Sequence, residues 1–134
     1  MLSISALAVE TKTIEVDFPG IAGFKVKLNA VTREVSRKIS KASTVAKFEP
    51  GSRVPINTID DDLFAHEFAK AAISGWSGLT YEGLSNLLVL GDITGKEDEI
   101  IDYSPENAAY LIKNSNVFEG FVNSVVFNIQ SFRS

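Results

Sequence analysis

From Lys12 to Phe18 the chain alternates, with Ile14, Val16 and Phe18 apolar and Thr13, Glu15 and Asp17 polar. The same pattern returns in Phe24, Val26, Leu28 and Ala30 against Lys25, Lys27 and Asn29. A period of two belongs to a half-buried strand, so two strands are predicted. The connector Pro19-Gly20-Ile21-Ala22-Gly23 has the length and composition of a hairpin turn. Placing Phe18 opposite Phe24 sets Val16 against Val26, Ile14 against Leu28, Asp17 against Lys25 and Glu15 against Lys27. Every pair is then complementary, and a one-residue slip would exchange the two faces, so this register is the one expected. A lone hairpin is marginal in water, so its apolar face must cover helices or gain another strand.

Beyond Ala30 the period lengthens. Thr32 suits the N-cap of a short helix with Val35, Ile39 and Ala42 inward and Arg33, Arg37, Lys38 and Lys41 outward. Pro50, Gly51 and Pro55 make 45–59 an extended connection, with 46–49 and 53–58 as candidate strands. Asp60 to Asp62 open a helix through Leu63, Phe64, Phe68, Ala71, Ala72 and Ile73 that Gly75 closes. Thr80 starts another, with Tyr81, Leu84, Leu87 and Leu88 on one side and Gly91 as its stop. An acidic loop, 91–102, follows. Ser104, Pro105 and Glu106 then form a helix start, and that helix runs through Leu111 and Ile112 to Asn114. Ser115 can cap one more, in which Phe118, Phe121, Val122, Val125, Ile129 and Phe132 recur at spacings of three and four. The expected fold is α+β and mainly helical. It is one domain, with an N-terminal antiparallel β-hairpin (12–31), a short helix (32–44), an extended connection (45–59) and a helical part (60–132), giving a bundle of four or five helices.

The last helix is unusual in its polar side. Val117, Val126 and Phe127 widen its apolar stripe, and Glu119 is the sole charge between Ser115 and Phe132. An ordinary surface helix carries more charge on its wet side. Either its own domain covers it twice, or the low-charge side meets another protein chain, since interface centres are poor in charge and rich in aromatics. Trp76, between glycines at a junction of two helices, with Tyr81 within reach, either locks an elbow or serves as a hot spot for a partner. The candidate partner-binding set is Trp76, Tyr81, Phe118, Phe121, Asn123, Val125, Phe127 and Phe132. Within it, Phe118, Phe121, Val125 and Phe132 are expected to pack, and the opposite side, with Asn123 and Phe127, to make contact.

Composition narrows the classes. The 134 residues suffice for one real core, and without cysteine there is neither a disulfide nor a thiolate ligand or nucleophile. No apolar run approaches the roughly 20 residues that span a bilayer, and the opening MLSISALAV lacks the basic flank of a signal peptide. A cytosolic protein is expected. The net charge of −4 hides a segregation: Met1 to Ile59 holds nine Lys/Arg against five Asp/Glu, and Asp60 to Ser134 four against twelve. An acidic chain without a basic cluster near aromatics is a poor match for nucleic acid. A basic end and an acidic end can attract each other within one molecule or head to tail between copies.

Candidate chemistry is sparse. His66-Glu67 opens like a zincin helix, but Lys70 stands where the second His is required; Asp62 and His66 are four apart without a third ligand. Gly75-Trp76-Ser77-Gly78 is not a nucleophile elbow, and no phosphate-binding glycine loop occurs. The carboxylate runs at Asp60 to Asp62 and Glu97 to Glu99 are not spaced as an acid/base pair. No enzyme, metal or cofactor is expected.

Two segments carry more specific information: GWSGLTYEGLSNLL at Gly75 to Leu88 and YSPENAAYLIKNSNVFEGFVNSVVFNIQSF at Tyr103 to Phe132. Together they resemble the tail assembly chaperones of long, flexible-tailed bacteriophages, in their Gly-Trp junction, Tyr-Ser-Pro-Glu-Asn-Ala helix start and Asn-Ser-x-x-Phe entry to the last helix. The likeness covers the last sixty residues or so. It implies a non-enzymatic scaffold in the host cytoplasm that binds the tape-measure protein, keeps it soluble and helps tail-tube protein polymerise around it. Such a scaffold is not expected in the mature virion. The alternative is a structural tail subunit that stays in the particle and joins neighbours by strand addition at its hairpin edge.

Overall fold

The computed structural model describes residues 3–7 and 12–133, so Met1, Leu2, Ala8 and Val9 of the opening stretch lie outside the described residues. The chain is α+β. After a single helical turn, α1 (Ile4–Leu7), β1 (Thr13–Asp17) and β2 (Lys25–Asn29) form the N-terminal hairpin. Its antiparallel register pairs Ile14 with Leu28, Glu15 with Lys27, Val16 with Val26 and Asp17 with Lys25, as the alternation requires. Phe18 N–H closes the turn on the Phe24 carbonyl at 2.9 Å. Phe24, Val26 and Leu28 are fully buried, while the charged side of the ribbon faces water.

Thr32 caps α2 (Arg33–Ser43), its hydroxyl accepting from Val35 N–H. Ile39 faces inward, but Ala42 is exposed and Ser43 is buried in its place, donating to the Ile39 carbonyl. A small side chain that returns its hydroxyl to the helix can be buried at little polar cost. The connection contains strands β3 (Thr44–Lys47) and β4 (Ile56–Ile59), which among the described residues pair only with each other as a separate two-stranded arm. β3 lies two residues before the expected strand, since it follows α2 directly with no linker, and β4 starts three residues later than expected and ends one later.

Asp60 caps α3 (Asp61–Ala72), which buries Ala65, Phe68, Ala69 and Ala72. The sequence expectation fails after Ala72. Residues Ile73–Ser77 form β5, which joins the free side of β2 to give a three-stranded sheet ordered β1-β2-β5. Trp76 therefore lies on a strand opposite Val26, not at a junction of two helices. Gly75 has no positive φ of the kind a helix-ending glycine adopts; it sits opposite Lys27. The register shifts between Lys27 and Leu28, so Ser74 bulges and Ile73 can pair with Leu28. What overrides the helix is the unpaired edge of β2, which gains a backbone ladder, and Ile73, a β-branched residue that is 1% exposed there.

Thr80 caps α4 (Tyr81–Leu84), a single turn followed by tighter turns to Leu88 in place of the longer helix expected. Gly83 in its interior weakens continuation. Ser104 caps α5 (Pro105–Asn114) and Ser115 caps α6 (Asn116–Val126), each hydroxyl accepting from the N–H three residues on. α6 stops at Val126, six residues short of the expected end. Phe127 forms its C-cap and a short 3₁₀ turn, Ile129–Phe132, follows. Ile129 is 78% exposed, whereas Val126 is buried. Three β-formers in succession, Val125, Val126 and Phe127, leave little propensity to extend the helix once Asn128 offers its own side chain to Gln130 N–H.

The core joins these parts. α3 packs on α2 and α5, and α6 packs on α5 and on β2. The Val31 N–H donates to the Val126 carbonyl at 2.9 Å, tying the exit of the first hairpin to the last turn of α6. Phe118 is fully buried between Phe18 (ring centroids 6.1 Å apart) and Trp76 (6.3 Å). Tyr103 meets Trp76 edge-on at 5.3 Å and donates its hydroxyl to the Ile73 carbonyl at 3.3 Å. Burial, with Glu106 nearby, raises the Tyr103 pKa. The folded state holds that proton more tightly, so the contribution is whole below the unfolded value of about 10 and is lost as pH rises through the folded pKa. Tyr103→Phe is expected to cost about 0.5–1.5 kcal/mol near neutrality and to flatten the fall in stability above about pH 10. Urea titrations of both proteins across that range measure it.

Candidate functional site

Phe127, at the end of α6, stacks on Phe68 of α3 with centroids 6.0 Å apart, and Phe68 stacks on Phe64 at 6.0 Å. Phe64 and Phe68 are four apart on one helix and so share a face. The inner ring, Phe68, is buried, while Phe64 is 37% and Phe127 52% exposed. The row lines a shallow cleft of about 220 Å³ between α3 and α6, with Ile112 also in its wall and Asn123 and Glu119 as its polar members. Ordered aromatic surface with one amide and one carboxylate is suited to holding an apolar side chain of another protein.

A second groove of about 330 Å³ lies where β5, α4 and α5 meet. Trp76, Leu84, Leu88, Ile101 and Tyr110 line it, with Val89 fully exposed at its edge. The Trp76 indole N–H donates to the Ile101 carbonyl at 3.0 Å, which fixes the ring and fastens the acidic loop to the sheet. Tyr81 N–H donates to the Glu99 carbonyl and Ile101 N–H to the Leu79 carbonyl, completing that fastening.

Of the residues proposed from sequence, Asn123 and Phe127 come together in the aromatic cleft, and Trp76 lines the other groove. Tyr81 is half-buried and lines neither. Phe118 and Phe132 are buried in the chain's own core and are not presented to a partner. Phe121 tilts against Phe18 at 4.7 Å, and Phe121 and Val125 are partly buried against the same core. Phe64 and Phe68 are named from sequence only as members of the helix that Asp60 to Asp62 open, with no role in a site. The signal that could have placed them in the cleft is the aromatic pair at i and i+4 beside Leu63, too wide a stripe for one core contact.

The polar chemistry is local. Lys113 pairs with Asp62 at the surface, and this bond holds the Asp62 carboxyl below its ordinary range and raises the Lys113 ammonium. Asp92 is lowered by the hydroxyl and N–H of Thr94 within its own turn. His66 is exposed, in a cleft with Asp62, Glu106 and Lys113. Among the described residues no group of three or more His, Cys, Asp or Glu gathers to hold a metal, and no helix is long and apolar enough to cross a membrane. Comparison with protein-family models, with curated proteins and with solved structures finds no match.

Proposed function

We propose that this chain is a tail assembly chaperone of a long, flexible-tailed bacteriophage, which binds and solubilises the tape-measure protein in the host cytoplasm and promotes tail-tube polymerisation around it. Its likeness to that family over Gly75 to Leu88 and Tyr103 to Phe132 supports the reading. The observation that carries it is the outward end of the aromatic row, where Phe127 and Phe64 stand half in water across a cleft with little charge.

A long helical client offers apolar anchors at every third or fourth residue, and one anchor enters between the two rings. Stacking on Phe68 has already ordered Phe127, so docking freezes few rotors. Because the cleft is shallow, each contact is weak, and retention comes from many copies along one client. That suits a holder that tube subunits must displace. Phe127→Asp is expected to leave helical content unchanged and to abolish soluble recovery of co-expressed tape-measure protein. A variant as active as wild type, or one that is unfolded, would reject the assignment.

One observation favours a second reading, a subunit retained in the tail. β1 is an edge strand, and among the described residues its outer backbone groups have no ladder partner, which leaves them open to strand addition. Mass spectrometry of purified virions separates the two, since a chaperone is absent from finished particles.

A further inference from the structure

The β3–β4 arm lacks what stabilises other two-stranded ribbons. Among the described residues its strands pair only with each other, and apart from Val45 and Thr58 near its base its residues are exposed. Near its tip Phe48 is 66% and Val54 70% exposed, and Ile56 is 46% exposed. An isolated ribbon is marginal in water and an exposed cluster of this kind marks an interaction site. The arm also belongs to a basic unit: residues 33–59 hold six Lys/Arg against two Asp/Glu, a net charge of +4, with Lys47 and Arg53 on the arm itself.

The groove between α4 and α5 has the opposite character. Its floor is apolar and one wall ends in the fully exposed Val89. Around it, residues 92–106 hold six Asp/Glu against one Lys, a net charge of −5. Ile101 lines the groove, and the Glu97 and Glu99 carbonyls accept from the N–H groups of Glu82 and Tyr81 in the first turn of α4, so this acidic loop runs along one side of the groove. We propose that the arm of one copy docks in this groove of a second copy. Phe48 and Val54 fill the floor, and Lys47 and Arg53 meet the acidic rim. Matching charge selects this occupant: a client that is merely apolar gains nothing from the rim, whereas a basic arm does.

Arm and groove are different surfaces, so the contact is head to tail and leaves a free arm at one end and a free groove at the other. Copies therefore string together or close into a ring. Neither surface includes the aromatic cleft, so this contact stands or falls apart from client binding.

Sedimentation velocity of the purified protein tests it. Mass is expected to rise with protein concentration and to fall with added salt. Phe48→Asp and Val89→Asp should each be monomeric where wild type associates, with unchanged circular dichroism because both side chains are exposed. Should either lose helical signal, Phe48→Ser and Val89→Ser replace them. An equimolar mixture of the two variants should give a dimer and nothing larger, since one sound arm then meets one sound groove. A wild type monomeric throughout, single variants that associate like wild type, or a mixture that stays monomeric or grows beyond the dimer would each overturn the proposal.

Discussion

Gly78→Ala is expected to destabilise the fold by on the order of 3–5 kcal/mol, a large part of the roughly 5–15 kcal/mol that holds a domain together. Two causes add. Gly78 has φ +77°, where an L side chain costs about 1–2 kcal/mol. An added Cβ would also lie 2.0 Å from the carbonyl oxygen of Gly23 and 2.8 Å from its carbon. Both are backbone atoms of the hairpin turn, so no rotamer change relieves the clash and the turn must leave the sheet. Gly23→Ala is the control. Its φ is +82°, yet a Cβ there meets nothing within 4 Å, so only the conformational cost of about 1–2 kcal/mol applies. Chemical denaturation of the two variants separates the terms, and equal losses would show that close approach at Gly78 contributes nothing.

Phe118→Ala is expected to cost about 3–5 kcal/mol, the usual penalty for emptying a buried aromatic site. The ring is fully buried and makes contact with Phe18 on the hairpin and Trp76 on β5. Collapse into the vacancy is hindered because Phe18 is already held by Phe24 at 5.4 Å and by Phe121 at 4.7 Å. The same substitution at Phe127, half exposed and touching one ring, should cost about 1 kcal/mol or less. Equilibrium unfolding followed by Trp76 fluorescence measures both. If Phe127→Ala proved the more damaging, the division of α6 into a packing side and a presenting side would be lost.

That division was only half legible in the sequence. Local signals were read well: the hairpin register follows from charge and apolar pairing, and Thr32, Asp60, Thr80, Ser104 and Ser115 all cap the helices they precede. Such features depend on residues near one another in the chain. β5 was missed because its cause is distant. Nothing in Ile73-Ser74-Gly75-Trp76-Ser77 alternates, and the segment is a strand because β2 leaves an edge some fifty residues earlier. Gly78 was likewise read within its own neighbourhood, although what requires glycine is the backbone of Gly23. The candidate site shows the same limit. Phe127 stands out on a helix with too little charge, while its partners Phe64 and Phe68 come from another helix, and periodicity along one helix cannot show which other helix it meets.

The hydrogen bond from Val31 to Val126 and the cover that Phe118 gives to Phe18 bear on how the protein is made. The ribbon emerges from the ribosome before residues 116–126, so Phe18 has no cover from Phe118, and Val31 no partner at Val126, until that stretch has been translated. The core is therefore complete only after synthesis of that stretch, and a nascent chain stalled before it exposes apolar surface for the cell's own holdases to shield.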